Sequence, residues 1–508
     1  PAGYFQSSLL GIHKHPVPSM AAEHSRAVFL HIFPSGGETN RMERKEEILA
    51  VFRGGKAPVV RDIETKRGSA VLMYKPNLTD AQMCSRIVKW AQAVPPGKMS
   101  AEDILTRYIF IGEGRVTEDK SDAVDALLCG DALLFYENLP GYMVLNVRKY
   151  DKRSIDEPPL STVAYGPREG FIEDLKTNLC LVERRIHSPR LAVENLKIGR
   201  VTKTDVAVVY LDGVASSELV KRVIKRLESI QADGIMDVQY IQPYLEERPF
   251  SVFNQVGRAE KPDIVSAKLL EGRIAVFVNG TPMALTVPYL FMESVQSSAD
   301  YYQRYLYSSF LRILRMITLG LAILLPGIYV ALQKFHLSII PLRFMMTVIT
   351  ALNGIPFRAT TEMLFVILLF EIIRETGIRM PKAVGMAMSI VGALVLGETA
   401  VRAGIVSSPA VMIVALSSLA LYTAPDEVAS TTLLRVIFTI IGGLGGIYLL
   451  LIGIVYLAQY MVGINGMGAP YLAPFAPFIK HDMHDAVIRD NFLNLNSLPQ
   501  SFPTAESK

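Results

Sequence analysis

Met316-Ile317-Thr318-Leu319-Gly320-Leu321-Ala322-Ile323-Leu324-Leu325-Pro326-Gly327-Ile328-Tyr329-Val330-Ala331-Leu332-Gln333 is a run without a single charge. The hydrocarbon core of a bilayer is about 30 Å thick, and about 20 mostly apolar helical residues cross it. Four more charge-free runs follow: Phe344 to Phe357, Ala383 to Gly397, Ala403 to Pro425 and Val436 to Ile479. A soluble domain of ordinary composition has no use for several such runs in succession. The chain therefore reads as an integral membrane protein with a large polar region ahead of its apolar block. Spanning helices are expected near 313–334, 383–401, 405–424 and 433–463, with a further segment around 360–376 and an amphipathic stretch at 338–354. Phe344 to Phe357, flanked by Arg343 and Arg358, is too short to span and is expected to be interfacial or re-entrant.

Composition agrees with that division. Of 508 residues, 50% are hydrophobic and 20% charged, and the charged ones lie mostly before residue 316. A net charge of +4, with both signs interspersed, gives no reason to expect a nucleic-acid partner. Cys84, Cys129 and Cys180 are odd in number and lack metal-ligand spacing, so they read as buried thiols in a reducing compartment. That places the polar region in the cytoplasm. Leu9-Leu10-Gly11-Ile12 is too short for the apolar part of a signal peptide, so the first spanning helix is expected to act as an internal signal-anchor. Basic residues flank both ends of that helix (Arg304, Arg312, Arg315; Lys334, Arg343) and barely orient it.

The polar half repeats itself. Ala70-Val71-Leu72-Met73-Tyr74 and Val206-Ala207-Val208-Val209-Tyr210 each read as a strand followed by a loop and an amphipathic helix. Leu127-Leu128-Cys129-Gly130-Asp131-Ala132-Leu133-Leu134-Phe135 then matches Leu269-Leu270-Glu271-Gly272-Arg273-Ile274-Ala275-Val276-Phe277. In each copy the Gly suits a helix C′ position, and Asn138-Leu139-Pro140-Gly141 or Asn279-Gly280-Thr281-Pro282 turns the chain into a second strand. Two blocks recur in one order, so the fold class is α+β with a membrane part. Two duplicated α/β lobes in an N-terminal soluble domain precede a polytopic α-helical transmembrane domain. The expected layout is an irregular segment at 1–50, a first lobe at 51–150, a helical connector at 151–196 and a second lobe at 197–297. A helical membrane domain at 298–465 and a polar tail at 466–508 complete it. Asp156-Glu157-Pro158-Pro159 breaks the connector, and Glu169 to Leu196 reads as mainly helical.

Enzymatic constellations are absent or weak, and neither a cofactor nor a catalytic role is expected. His481-Asp482-Met483-His484-Asp485 spaces two histidines as a metal could use, but an exposed juxtamembrane turn is the plainer reading. Gly463-Ile464-Asn465-Gly466-Met467-Gly468 lacks the phosphate-cradling order and reads as a helix end. The apolar block holds more. Carboxylates at membrane depth cost about 2.5–3.5 kcal/mol by insertion scales and usually face a bundle interior or a wet path. Glu371 and Glu398 are such residues, with Arg374 and Arg402 spaced to pair with them. They either snorkel to an interface or line a polar path, with Asp426 and Glu427 as candidates for its mouth. Pro326 invites a kink in the first helix. Gly442-Gly443-Leu444-Gly445-Gly446 gives small-xxx-small spacing, so Gly442 and Gly446 are candidates for close helix packing or a hinge.

Several ordered blocks resemble a known family. Gly166-Pro167-Arg168-Glu169-Gly170-Phe171-Ile172-Glu173-Asp174-Leu175-Lys176-Thr177-Asn178, Gly199-Arg200-Val201-Thr202-Lys203-Thr204, and Glu260-Lys261-Pro262-Asp263 are similar to segments of spore germinant-receptor A subunits, the GerA family of endospore-forming bacteria. The similarity continues through Phe370-Glu371-Ile372-Ile373-Arg374-Glu375-Thr376-Gly377-Ile378-Arg379-Met380-Pro381 and ends near Gly468-Ala469-Pro470-Tyr471-Leu472. It covers about residues 120–490; residues 1–60 match poorly, and a small or amide residue is expected where Glu398 stands. The resemblance implies a multi-pass receptor component of the spore inner membrane that works with a transporter-like B subunit and a lipoprotein C subunit. It further implies a homo-oligomer, a pentamer, in membrane lipid that conducts cations on sensing a germinant. A stage V sporulation AF-type amplifier has the same architecture, though the Asn279-Gly280-Thr281-Pro282 turn looks more like the receptor branch. A secondary transporter is a further alternative, though no inverted repeat is seen within 313–464, and an enzyme with a membrane anchor is a third that would need a catalytic cluster in the polar lobes.

Overall fold

A computed structural model describes residues 41–52, 55, 57–148, 166–380, 397–491, 493 and 497–505. Within the segment expected to be irregular, the described part is a helix, Arg41–Val51 (α1). Its Arg, Met, Glu and Lys residues are good helix formers.

Each polar lobe is built on a five-stranded antiparallel sheet. In the first, β1 (Val59–Thr65), β2 (Gly68–Tyr74), β3 (Gly114–Thr117), β4 (Ala132–Tyr136) and β5 (Tyr142–Leu145) are arranged in the order β1-β2-β4-β5-β3. In the second, β6 (Leu191–Ile198), β7 (Thr204–Leu211), β8 (Gly257–Ala259), β9 (Ile274–Val278) and β10 (Ala284–Val287) follow β6-β7-β9-β10-β8, the same order copy for copy. Register is conserved as well: Ala70 faces Tyr136 in one sheet as Val206 faces Val278 in the other. Gly130 and Gly272 occupy the same place, with φ of 94° and 95°, just after helices Lys120–Leu128 and Pro262–Leu270. Tyr74 is the last residue of β2, and Tyr210 is the last but one of the equivalent β7.

The central strands are apolar without alternation because both faces are covered. Ala70, Leu72 and Tyr74 pack with Cys84, Ile87 and Ala91 of helix α2 (Ala81–Ala93), whereas Val71 and Met73 point to the opposite core with Leu127 and Phe135. The second lobe divides in the same way, with Val206 and Val208 on one face and Ala207 and Val209 on the other. Caps fix the helix starts: the Asp80 carboxylate accepts from the N–H groups of Gln82 and Met83, and Ser100 forms a capping box with Asp103.

The helical connector needs correction. Only Leu175–Glu183 is helical between Gly166 and Gly199, and Leu191–Ile198 is strand β6, paired with β7 over its whole length. Charged Glu194 and Lys197 face solvent on this edge strand, a pattern that pairing with β7 turns into strand although the charges suggested a helix face.

Among the described residues the apolar block includes α3 (Tyr305–Phe335), α4 (Leu342–Leu352), α5 (Ala359–Arg379), a short helix at Gly397–Arg402, α6 (Ser408–Leu421) and α7 (Val428–Val462). Of the expected helix at 383–401, residues 383–396 lie outside the described residues. Among the described residues, two helical segments are long and apolar enough, by length and composition, to cross a membrane: Tyr305–Phe335 and Pro425–Val462, the second of which is interrupted at Gly446. The expected interfacial stretch appears as the eleven-residue α4.

Helix α3 continues without a break through Pro326. Proline cannot donate to the carbonyl four residues earlier, and here the buried Ser417 Oγ donates to that Ala322 carbonyl at 2.8 Å. One hydroxyl on α6 thus satisfies the acceptor that Pro326 orphans.

The expectation of one helix at 433–463 also needs correction. Gly446 sits at φ 66°, ψ −152°, which only glycine adopts comfortably, and the helix reverses there. Ser430 Oγ donates to Val252 O, while the Tyr460 ring lies 6.3 Å from the ring of Phe253. In a straight helix residues thirty positions apart would stand about 45 Å apart. Gly453 accordingly lies against Phe438 and Ile441. Segment α7 is a hairpin of two arms, Val428 to Gly445 and Ile447 to Val462, with its tip against Phe335 and His336 at the end of α3. Gly442 packs on Gly327 of α3 so closely that a Cβ would collide with the Gly327 carbonyl.

The hairpin makes a clear prediction. In membrane vesicles, cysteines replacing exposed Ala429 and Val462 should both react with an impermeant maleimide added from one and the same side. A straight span would place them on opposite sides.

Candidate functional site

Where the second lobe meets α3, charged side chains converge in a dry setting. Asp300, 1% exposed, lies in the short helix Ala299–Tyr302, and its carboxylate accepts from the Ser297 N–H as well as from two arginines. Arg312 Nε donates to Asp300 Oδ2 at 3.1 Å, and Arg315 makes a forked contact with both carboxylate oxygens at 2.8 Å. Ser308 Oγ and Arg489 Nη1 donate to the Asp300 carbonyl. Helical spacing puts Ser308, Arg312 and Arg315 on one face of the first three turns of α3.

Residues 481–490 enter the same cluster from the other end of the chain. Arg312 Nη1 donates to Asp485 Oδ1 at 2.9 Å and to the carbonyls of Asp485 and Ala486. Tyr301 Oη donates to Asp485 Oδ2 at 2.7 Å, and the guanidinium groups of Arg312 and Arg489 lie 5.4 and 5.5 Å from the Tyr301 ring. Forked arginine–carboxylate contacts and cation–π packing are among the stronger polar contacts in a low-dielectric setting. The arrangement can transmit a movement of the lobes to the first apolar helix, because neither can shift alone without exposing an unpaired charge.

Beside it is a cavity of about 340 Å³, lined among others by Arg273, Glu293, Tyr301, Asp482, Asp485 and Phe502. Arg273 donates to Glu293, to Glu271 and to the Pro288 carbonyl, and lies 4.8 Å from the Phe502 ring. Burial alone would raise the Glu293 carboxyl, but Arg273 and Lys268 outweigh it and hold that group below its ordinary value. The Asp482 carboxyl is likewise held low against the effect of burial by donors from Ser501, His481 and Gln500.

The far segment also completes the second lobe. In the first lobe the chain just after β5 returns to form a bridge, Arg148 to Thr79, with the Asp80 N–H donating to Val147 O. At the equivalent place in the second lobe the partner of Ala215 is Thr504, and the Ala505 N–H donates to Val214 O.

The structure places the sequence candidates as follows. Glu371 pairs with Arg374 on its own helix and lies 3.6 Å from Arg435 of the hairpin. Glu398 contacts Arg402 at 2.6 Å and is half exposed. Asp426 and Glu427 form the turn before α7: Asn254 Nδ2 donates to the Asp426 carbonyl, and Glu427 is buried. These carboxylates are not brought together. Gly442 meets Gly327, the residue after Pro326, at the α3–α7 crossing, and Gly446 is the hairpin tip. His481 and His484 contact Asp482 and Asp490, and among the described residues no group of three His, Cys, Asp or Glu side chains could hold a metal. Sequence reading missed Asp300, Arg312, Asp485, Arg489 and Arg435, as well as Glu362, which accepts from the Ser407 N–H and caps the α6 end. Arg435, a lone charge inside an apolar run, was the one available signal.

Fold and junction define a class: a two-lobed α/β unit locked to an apolar helical block. The family model described as the Bacillus/Clostridium GerA spore germination protein matches residues 46–501. The chain is 37% identical over 390 residues to spore germination protein KA of Bacillus subtilis, covering 76% of this chain and 72% of that one. It is 36% identical over 403 residues to the uncharacterized membrane protein YfkQ of the same organism, covering 79% of each. A solved structure, the N-terminal domain of the A subunit of the Bacillus megaterium spore germinant receptor GerK3, shares 27% identity at a TM-score of 0.38. That match covers 50% of this chain and 99% of the solved one. The chain belongs to the GerA family of spore germination proteins.

Two measurements probe the junction. Removing one partner of a buried ion pair costs about 3–5 kcal/mol, so Arg312→Met should lower the unfolding temperature of the detergent-solubilised chain sharply, whereas Arg304→Met, at the start of α3, should not. Glu293 titrates lower when folded than its ordinary 4.5, so its contribution is complete above that pH and fades as pH falls through the folded value. Glu293→Gln should therefore flatten the acid limb of the stability profile below about pH 4.5.

Proposed function

We propose that this chain is the A subunit of a nutrient germinant receptor in the spore inner membrane and that it takes part in germination. The match of the GerA family model to residues 46–501 carries this reading. In this reading the helical block is polytopic, and the polar lobes and residues 465–505 share the cytoplasmic side. Their mutual docking through Asp485 and Thr504 supports a common side, which requires an even number of crossings between them. Copies of the chain assemble as an oligomer, with a transporter-like B subunit and a lipoprotein C subunit as partners, and provide a path for cations.

Within that path the two membrane carboxylates take different parts. Glu371, held between Arg374 and Arg435, ties α5 to the hairpin and acts as a structural pair. Glu398, half exposed with Arg402 as its contact, is the carboxylate available to a ring of copies, where repeated acidic groups favour cations. Asp426 and Glu427 lie beside the second lobe, at the mouth of such a path. The lock at Asp300 supports a sequence in which displacement of the lobes tilts α3 and, through the Gly327–Gly442 contact, the hairpin.

In spores carrying the Glu398→Gln variant, nutrient-triggered cation release should slow while the amount of membrane-bound protein is unchanged. Glu371→Gln should instead reduce the amount of protein, because it leaves Arg435 buried without its acid. Normal release from Glu398→Gln spores would remove Glu398 from the path.

A further inference from the structure

The base of the α7 hairpin is flanked by two stiffened loops, and each ends in an exposed phenylalanine. The first, residues 246–254, is fastened to both arms. Ser430 Oγ donates to Val252 O, Asn254 Nδ2 donates to Asp426 O at 2.7 Å, and Phe253 packs against Tyr460. Its neck is closed by the buried amide of Gln255, which accepts from the Arg248 N–H at 3.1 Å and donates to the Arg248 carbonyl at 2.7 Å. Such a loop has little freedom to fold its tip inward; Phe250 is fully exposed, and Arg248 and Pro249 beside it are exposed.

The second loop follows the returning arm. Tyr471 is buried 6.0 Å from the Phe253 ring, and the turn beyond it is closed by Phe475 N–H to Leu472 O and Ile479 N–H to Pro474 O, both 2.9 Å. At its tip Phe478 is 70% exposed, with exposed Lys480 two residues on. Arg248-Pro249-Phe250 and Pro477-Phe478-Ile479-Lys480 thus present the same chemistry twice: a phenyl ring after a proline, with a cation two positions away.

A phenyl ring held in water by a rigid loop gives up its burial unless something covers it. Position points to the occupant. Both loops join the hairpin where its apolar arms end, at residues 425–430 and 460–463. Phenyl rings carried on an interfacial segment bury at the headgroup–acyl boundary, and Arg or Lys beside them meets lipid phosphate. We propose that Phe250 and Phe478, with Arg248 and Lys480, insert into the headgroup–acyl boundary and fix the height of the second lobe on the membrane surface. The proposal rests on the reading of α7 as membrane-embedded.

The test uses the full chain in vesicles of zwitterionic and anionic phospholipid. Trp90 is the single tryptophan, so Trp90→Phe gives a silent background into which Phe250→Trp or Phe478→Trp is placed. Bromolipids labelled near the headgroup should quench both reporters several-fold more than lipids brominated deep in the chains. Added Arg248→Ser or Lys480→Ser should weaken that quenching only in anionic vesicles. Tyr456→Trp, at an exposed mid-arm position, serves as the control and should be quenched by deep bromines. Quenching at 456 with solvent-like, unquenched emission at 250 and 478 would overturn the lipid anchor while leaving the membrane reading intact. Emission at 250 that changes only when partner subunits are added would assign the loop to a protein surface and equally overturn it. No quenching at 456 would remove the membrane reading on which the proposal depends.

Discussion

Asp300 is the constraint on which the rest of the molecule hangs. Its side chain neutralises Arg312 and Arg315 while its carbonyl holds Ser308 and Arg489, so lobe, first apolar helix and distal segment share one acceptor. Burying several charges is expensive, and the cost is recovered only when every partner is present in good geometry. That all-or-nothing character gives a rigid joint rather than a flexible tether between α/β lobes and helices. Tyr301 adds a ring against which two guanidinium groups lie, which keeps the arginines from spreading apart.

Above the joint, the helical block gains its closeness from glycine and its tolerance of proline from a neighbour. Gly327 against Gly442 brings the backbones of α3 and the hairpin together, and a few residues away Ser417 satisfies the carbonyl that Pro326 leaves free. Lys334 Nζ donates to the Gly443 carbonyl at 2.7 Å near the tip, and Arg435 reaches Ser418 at 2.9 Å in the middle of the block. Polar contacts therefore recur along the whole height of an otherwise apolar assembly. Each is made between helices rather than within one, which is where such bonds add to packing in a lipid setting.

The lobes were legible because their signals are local. Fully apolar strands, Asp and Ser caps and glycines after helices appear within a few residues of one another, and the repetition at Tyr74/Tyr210 and Gly130/Gly272 exposes the duplication. Strand β6 was hidden because its identity depends on pairing with β7, and its charged residues mimic a helix face. The hairpin was hidden because Gly442 to Gly446 suits close helix packing as well as it suits a reversal; backbone angles at Gly446 decide between them. The junction was invisible for a simpler reason. Arg312 and Asp485 stand 173 residues apart, and no spacing rule connects them. Glu371 was found, but its second arginine lies on another helix, so its role as a tie emerges only in three dimensions.

The bridge from Ala215 to Thr504 has a consequence for the order of events at the ribosome. The first lobe takes the closing piece of its edge from the residues that immediately follow β5, so it can finish as soon as it emerges. The second must wait for a segment that lies about 230 residues beyond Gly272. At roughly 5–20 residues per second that delay is on the order of 10–50 s. During that interval the apolar helical block is still being synthesised, and the edge beside Val214 stays open to whatever extended chain is near. Closure of the second lobe thus waits until every apolar segment between the two ends of the bridge has been made, which ties completion of that lobe to synthesis of the chain as far as Thr504.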